Sequence, residues 1–386
     1  MIARGETDVD DRRFDELSRR VGALAPPRLP RRGLLGLLGG ATLAGAVGAP
    51  PAAAARCKDE GQKCDKKKCK KKDKKCCCDD LKCKNGRCEP KGGSCRTDVG
   101  NGTEFPAFNA PTGPDEFSVP FGITTDLDGN VYVTDTGNER VLVFSANGTL
   151  TDEFGIEGQE NEDFQEPLGI AFGEQNDGND RLYIADPGMS STSRRFRKFR
   201  LSGTQPETLG ESDLTEPTGV AVDADGNIWV VDRTGTGEVF LFDDNGDLVD
   251  SFSPGGSGAL AAPEGIGTFE ENNRTFVYVA DTGNDRIVKF EYTGGGDLDF
   301  VDEAGTTGTQ SDRFNQPVGI AVDSCGNLWV ADRLNNRIQQ LDKDLNFESR
   351  FSDGFDRPTG VALSPNGRTL YVVDSLNERV VRYPLS

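Results

Sequence analysis

The chain has 386 residues, 64 acidic against 44 basic side chains, no histidine, and a formal net charge of −20 at pH 7. Residues 56–96 hold 16 basic and 7 acidic side chains (net +9), whereas residues 97–386 hold 20 and 51 (net −31). The acidic part repels the phosphates of nucleic acids and anionic lipids, so nucleic acid is excluded as an expected partner.

Residues 1–55 predict an export signal. A charged segment ends in Arg31-Arg32, an apolar stretch rich in Gly and Ala follows, and Ala53-Ala54-Ala55 offers a cleavage site near residue 55. The stretch falls short of the roughly 20 strongly apolar residues of a membrane span. The twin arginine resembles a twin-arginine (Tat) signal, which implies export of the folded protein by a prokaryote. We therefore expect an extracytoplasmic protein, secreted or associated with the envelope, that meets the membrane only transiently.

Residues 56–96 predict a basic, cysteine-rich disulfide module, because nine of the ten cysteines lie there in an exported chain. The spacing from Cys57 to Cys88 resembles a knottin-like framework. Zinc is the alternative, but the chain lacks histidine and a repeated C-x2-C pair. The pairing stays open, as does whether the tenth cysteine, Cys325, takes part. The nine are Cys57, Cys64, Cys69, Cys76, Cys77, Cys78, Cys83, Cys88 and Cys95.

Eight lysines stand among the thirteen residues 66–78 of that module. Such a run could dock on an anionic cell-envelope polymer, or it could be the solvated surface of a small disulfide knot. The sequence leaves both interpretations open.

From residue 117 onward, one pattern occurs six times: a Pro-x-Gly with an apolar strand, a turn, a strand closing on Asp, and a third strand. The spacing of about 40 to 54 residues is typical of a four-stranded propeller blade. Short alternating strands separated by Gly and Asn turns support this interpretation. The prolines are Pro120, Pro167, Pro217, Pro263, Pro317 and Pro358, and the aspartates are Asp135, Asp186, Asp232, Asp281, Asp332 and Asp374.

The repeated pattern, Pro-x-Gly-Ile/Val-Ala-Val-Asp with a later Asp-x-x-Asn-x-Arg, resembles the NHL repeat. The resemblance implies an all-β, six-bladed β-propeller over residues 97–386. Four blades keep the Asp-x-x-Asn-x-Arg element, whereas blade two carries an insertion and blade three has Glu238 at the arginine position. A set that recurs in four blades predicts capped turns and paired blades rather than a catalytic site.

The sixth repeat ends just after its third strand. Residues 97–110 are therefore predicted to supply the missing outer strand of blade six, which closes the ring and leaves no exposed edge there.

Ligands of propellers usually meet the loops at the mouth of the central channel. The residue after each proline is predicted to ring that mouth, and these six are candidate ligand-binding residues: Phe121, Leu168, Thr218, Glu264, Val318 and Thr359. A basic strand in blade two is a second candidate, which could clamp an acidic glycan or simply pair with neighbouring acids. Its residues are Arg194, Arg195, Arg197 and Lys198.

Function is predicted as a non-enzymatic binding or scaffold module that recognises a protein or wall polymer through the loop face. Without histidine or a carboxylate pair that can be placed, acid–base catalysis has no obvious carrier, so no catalytic residue, metal or cofactor is predicted. The alternative is a metal-dependent hydrolase or lyase at the channel mouth, like gluconolactonase propellers, where calcium is possible. Glu264 alone provides too few oxygens for a hard cation. Ligand identity and oligomeric state stay open.

Overall fold

The computed structural model describes residues 81–84, 87–90, 99–104, 116–155, 164–174, 180–188, 195–204, 206–210, 213–234 and 236–386. The chain forms two compact units, Met1–Lys91 and Gly92–Ser386. The described residues do not include the predicted export signal or Arg194. Of the ten cysteines they include Cys83, Cys88 and Cys325. Within them, no helix is long and apolar enough to cross a membrane.

The described part of the first unit is a hairpin of β1 (Leu81–Lys84) and β2 (Arg87–Pro90), in which Cys83 stands opposite Cys88. The disulfide framework of the predicted module therefore stays a prediction.

The second unit is a six-bladed β-propeller, as predicted, in which each blade is one antiparallel four-stranded sheet. Strands are numbered in chain order, and β3 is therefore the outer strand of the last blade, blade six. The strands are β3 Thr103–Glu104; β4 Pro120–Thr125, β5 Val131–Asp135, β6 Arg140–Phe144, β7 Leu150–Phe154; β8 Ile170–Gly173, β9 Arg181–Asp186, β10 Arg195–Arg200, β11 Glu207–Leu209; β12 Pro217–Val222, β13 Ile228–Asp232, β14 Glu238–Phe242, β15 Leu248–Phe252; β16 Gly265–Glu271, β17 Arg274–Asp281, β18 Arg286–Tyr292, β19 Leu298–Ala304; β20 Pro317–Val322, β21 Leu328–Asp332, β22 Arg337–Leu341, β23 Phe347–Phe351; β24 Pro358–Leu363, β25 Thr369–Asp374 and β26 Arg379–Pro384.

Because the strands of a blade alternate in direction, their connections divide between two faces. One face, here called the loop face, carries the links between second and third strands and those between blades. Four links between second and third strands begin with short 3-10 turns: Thr136–Asn138, Thr282–Asn284, Arg333–Asn335 and Ser375–Asn377. The opposite face, the turn face, carries the turns between first and second and between third and fourth strands.

The turns of the turn face are fixed by side-chain hydrogen bonds. Asp126 Oδ1 accepts the backbone N–H groups of Asp128 and Asn130 at 2.9 and 2.8 Å. Asp223 does the same for Asp225 and Asn227, at 3.0 and 2.9 Å. Such Asx turns favour a tight reversal of the chain and set the register of the two strands they join.

The hydrophobic core lies between the blades, because each blade is one sheet and both faces of its inner strands are covered by neighbouring blades. All five residues of β5 and of β13 are buried. At the axis the backbones come close: a methyl group on Gly122 would lie only 2.4 Å from the carbonyl oxygen of Leu168. Glycine is therefore required at this position of the repeat.

The ring closes as the sequence predicts. β3 pairs antiparallel with β26, with Glu104 opposite Val381 and Thr103 opposite Arg382. The N–H of Gly100 also donates to the carbonyl oxygen of Pro384 at 2.8 Å. Blade six is thus built from both ends of the propeller sequence.

Candidate binding face of the propeller

All six predicted mouth residues are buried, at 0 to 8% exposure. Phe121, Leu168 and Val318, which come from three blades, form one apolar cluster. Thr218 and Thr359 do not contribute open hydroxyls: their Oγ1 atoms donate to the carbonyl oxygens of Pro263 and Phe121, each at 2.9 Å. These side chains therefore join neighbouring blades, and their role in ligand binding stays a prediction.

The sixth mouth residue forms an ion pair that the sequence analysis missed. Arg333 Nη1 lies 3.2 Å from Glu264 Oε2, and Nη2 donates to Gln316 Oε1 at 2.8 Å. Arg333 begins a 3-10 turn, at the position that Thr136 and Thr282 occupy in other blades. An arginine among hydroxyl residues was the available signal for a charge partner at the mouth.

The Asp-x-x-Asn-x-Arg elements hold the loop face in place. Asp135 Oδ1 accepts the N–H of Ser118 at 2.7 Å, and its Oδ2 accepts Asn138 Nδ2 and Arg140 Nε, both at 2.8 Å. The carboxylate thus pins the loop that leads into the first strand of its blade. Burial raises the pKa of Asp135, whereas Arg140 and the N–H of Ser118 act against that shift.

The same arrangement recurs in three more blades. The arginine Nε atoms lie 2.6 to 2.7 Å from the carboxylates in the pairs Asp281–Arg286, Asp332–Arg337 and Asp374–Arg379. Each carboxylate also accepts a backbone N–H from the loop before its blade. These residues are committed to the scaffold, which is the role the repetition predicts.

Blade two keeps the ion pair despite its insertion, which corrects the sequence interpretation. Arg195 stands opposite Asp186 in the strand register, with Nη2 3.2 Å from Asp186 Oδ2. In blade three, Glu238 does stand opposite Asp232, as predicted. There Asp232 Oδ1 accepts the hydroxyl of Thr234 at 2.6 Å, so a hydroxyl takes part in place of the guanidinium.

The basic strand of blade two does not present an open row of cations. Arg197 is only 2% exposed, and its guanidinium carbon lies 5.2 and 5.0 Å from the ring centres of Phe164 and Phe199. Lys198 Nζ lies 2.8 Å from a carboxylate oxygen of Glu207. Both faces of a propeller blade pack against neighbours, so alternation does not send Arg197 to solvent. Arg195 and Lys198 pair with neighbouring acidic residues, Asp186 and Glu207, which is one of the two interpretations from the sequence.

The exposed part of the loop face is acidic near the junction of blades six and one. Glu116 and Glu378 are exposed there, and Asp353 and Asp356 are exposed in the loop that links blade five to blade six. Leu376, 38% exposed, is the one large exposed apolar residue that the described loops of this face present. Burial and the nearby charges of Glu116 and Asp135 raise the pKa of Glu378. This region is suited to a partner that brings positive charge.

Among the described residues, no three His, Cys, Asp or Glu side chains converge as a metal site would require. The expectation of no metal, with calcium possible, stays a prediction.

The comparisons with known proteins agree with this fold. The family model of the NHL repeat matches residues 214–242 and 314–341. NHL repeat-containing protein 3 of Mus musculus is 30% identical over 167 residues, which are 38% of this chain and 45% of the relative. The chain thus spans less than half the length of this curated relative.

Two solved propellers share the fold at low sequence identity. A gluconolactonase from Xanthomonas campestris is 18% identical with a TM-score of 0.54, covering 70% of this chain and 87% of its own. A streptogramin B lyase is 16% identical with a TM-score of 0.51, covering 75% and 98%. The second unit of this chain is thus a six-bladed β-propeller in which two segments match the NHL repeat.

Proposed function

We propose that this protein is an exported, non-enzymatic binding module whose loop face recognises a partner protein. The observation that carries the proposal is the fixed loop face: its aspartates and arginines are used to hold loops, and Phe121, Leu168 and Val318 are buried in one apolar cluster. A loop face held by its own ion pairs and hydrogen bonds, with buried mouth residues, suits recognition of a macromolecule. The similarity to NHL-repeat proteins supports a propeller that serves as a binding module.

The partner is expected to bring basic residues to the junction of blades six and one. Leu376 would supply the apolar contact, and Glu378 and Glu116 the charge complement. A cation between these two carboxylates would relieve their mutual repulsion.

The test uses the protein captured with its partner from the envelope of the producing cell, followed by direct binding of the purified pair. Leu376→Asp and Glu378→Lys should each weaken binding at least tenfold. Asp225→Lys, a charge reversal in an exposed turn of the turn face, is the matched control and should bind as the wild type. Equal loss in the control would contradict a loop-face site.

The lysine-rich segment is proposed as a second contact, with an anionic envelope polymer. Binding of the mature chain to such a polymer should fall as salt rises, because the attraction is between exposed charges. Six substitutions to glutamine should remove it while the propeller keeps its thermal stability: Lys66, Lys67, Lys68, Lys70, Lys71 and Lys72. Binding by the propeller alone would assign the contact elsewhere.

The rival function is a metal-dependent hydrolase or lyase, which gluconolactonase-like propellers would suggest. Metal analysis of the purified protein separates the two. A stoichiometric metal, together with lactone hydrolysis that a chelator abolishes, would replace the binding proposal.

A further inference from the structure

The turn between β6 and β7 contains the tripeptide Asn147-Gly148-Thr149. Asn-x-Thr is the acceptor sequence for N-linked glycans in exported proteins, provided that it lies on an accessible surface. The chain has two more such tripeptides, which begin at Asn101 and Asn273. The structure separates the three.

Asn147 presents the reactive end of its side chain to solvent. The residue is exposed, and its Oδ1 is the anchored atom: it accepts the hydroxyl of Ser145 at 2.6 Å and the N–H of Thr149 at 3.2 Å. Within the described part of the chain, Nδ2 of Asn147 makes no hydrogen bond. In other turns of the same face the amide nitrogen is used, as in Asn130, whose Nδ2 donates to Asp126 at 2.7 Å.

Thr149, the third residue of this tripeptide, is also accessible. Thr149 is exposed and uses its backbone for the turn, with its carbonyl oxygen accepting the N–H of Ser145 at 2.9 Å. Its hydroxyl is therefore available to an enzyme that reads the third position. Gly148, at φ 92°, gives the turn its left-handed conformation.

The other two tripeptides run into strands. Asn273 is exposed in a two-residue turn, but Thr275 belongs to β17 and pairs with Tyr292. Thr103 belongs to β3 and pairs with Arg382. For either tripeptide to enter the active site of a transferase, the strand pairing at its threonine would have to open, which would break backbone hydrogen bonds.

We propose that Asn147 is a site of N-linked glycosylation on the folded propeller. The donor is a sugar carried on a polyprenyl or dolichyl phosphate. The bond between Nδ2 and the anomeric carbon forms as the bond from that carbon to the phosphate oxygen breaks. The lipid phosphate leaves, and one amide proton passes to a base of the transferase.

The site lies on the turn face, so a glycan there leaves the loop face open. In the cell this modification rests on the proposed export, because the transfer machinery acts on exported chains. A test with purified components examines the modification independently of the proposed export, since it does not need the chain to be exported.

The experiment incubates the natively folded full chain with a purified single-subunit oligosaccharyltransferase and its lipid-linked oligosaccharide. Peptide mass spectrometry then measures occupancy at each asparagine. Asn147 should be occupied at least tenfold more than Asn273. Asn147→Gln and Thr149→Val should each abolish the modification, whereas partner binding by the loop face should not change.

A turn elsewhere in the chain supplies the matched control. Asn366 Oδ1 accepts the hydroxyl of Ser364 at 2.9 Å and the N–H of Arg368 at 3.0 Å, which repeats the Asn147 turn with arginine at the third position. Arg368→Thr should create a second acceptor there, at lower occupancy because Asn366 is half-buried. The proposal is overturned if folded Asn147 stays unmodified while an unfolded peptide of the same sequence is modified, or if Asn273 is occupied equally.

Discussion

At the scale of single residues, a buried aspartate does the positioning in every blade. In blade one Asp135 is fully buried, and it receives both a backbone N–H and the guanidinium of Arg140. Removing one member of such a pair leaves the other without its charge partner in a low-dielectric environment. Breaking the pair therefore costs more stability than the intact pair contributes to it.

We expect Asp135→Ala to lower the free energy of unfolding by about 3 kcal/mol, since Arg140 would stay buried without this carboxylate. Urea unfolding followed by fluorescence measures it. Glu153→Gln is the control, because Glu153 contacts the same guanidinium at 2.8 Å from a partly exposed position. It should cost less than about 1 kcal/mol. Equal losses would show that the buried end of the pair has no special role.

The stability should also depend on the protonation of Glu378. Its pKa is raised by burial and then by Glu116 and Asp135, so the folded state binds the proton more tightly than the unfolded state. Stability is therefore lost as pH rises from the unfolded pKa through the folded one. Glu378→Gln should match the wild type at about pH 3 and melt slightly higher at pH 7. The gain is small because the side chain is largely exposed. A variant less stable at pH 7 would contradict this.

Residue positions were predictable where the repeat is regular and not where it varies. The insertion of blade two hides that Arg195 stands opposite Asp186, because register depends on the strand pairing and not on spacing along the chain. Arg333 and Glu264 are 69 residues apart and meet only because two blades converge at the axis. The local pattern marks Arg333, which stands where other blades have a hydroxyl residue, but it does not identify Glu264 as the partner.

At the scale of the strand, the pleat explains where the basic side chains of blade two lie. Alternation separates buried from exposed residues only when one face of a sheet meets solvent. Strand β10 has neighbours on both faces, so Arg197 is buried between aromatic rings instead of extending outward. The closing strand was predictable, by contrast, because a missing fourth strand leaves a definite vacancy in a repeat.

Strand β3 should be required by the whole propeller. A chain that begins at residue 111 lacks it and exposes the edge of β26, so we expect a markedly lower melting temperature than for the propeller that begins at residue 97. A chain that begins at Val99 keeps β3 and the contact of Val99 with Leu385, and serves as the control. Equal melting temperatures for all three chains would contradict closure by β3.

At the scale of the whole molecule, the two units are expected to depend on redox conditions differently. A propeller buries apolar residues between its blades, such as Trp229 and Val279, and needs no cross-link for that. The cysteine-rich module has almost no apolar residues and is predicted to rely on disulfides. Function was the least predictable property, because a propeller scaffold carries many activities.

Reductant should therefore make residues 57–95 sensitive to protease while the propeller stays resistant. Limited proteolysis with and without dithiothreitol, read by mass spectrometry, measures this directly. Loss of the propeller together with the module would indicate that Cys325 belongs to the disulfide framework.

The pairing of β3 with β26 also sets the order of events during synthesis. The ribosome releases Glu104 long before Val381, its partner across blade six. During that interval β3 has no partner strand, and the ring can close only after β26 has been synthesised. Contacts between such distant parts of a chain form slowly, because a long loop must close first. Synthesis of β26 is thus the earliest moment at which the ring of this propeller can close.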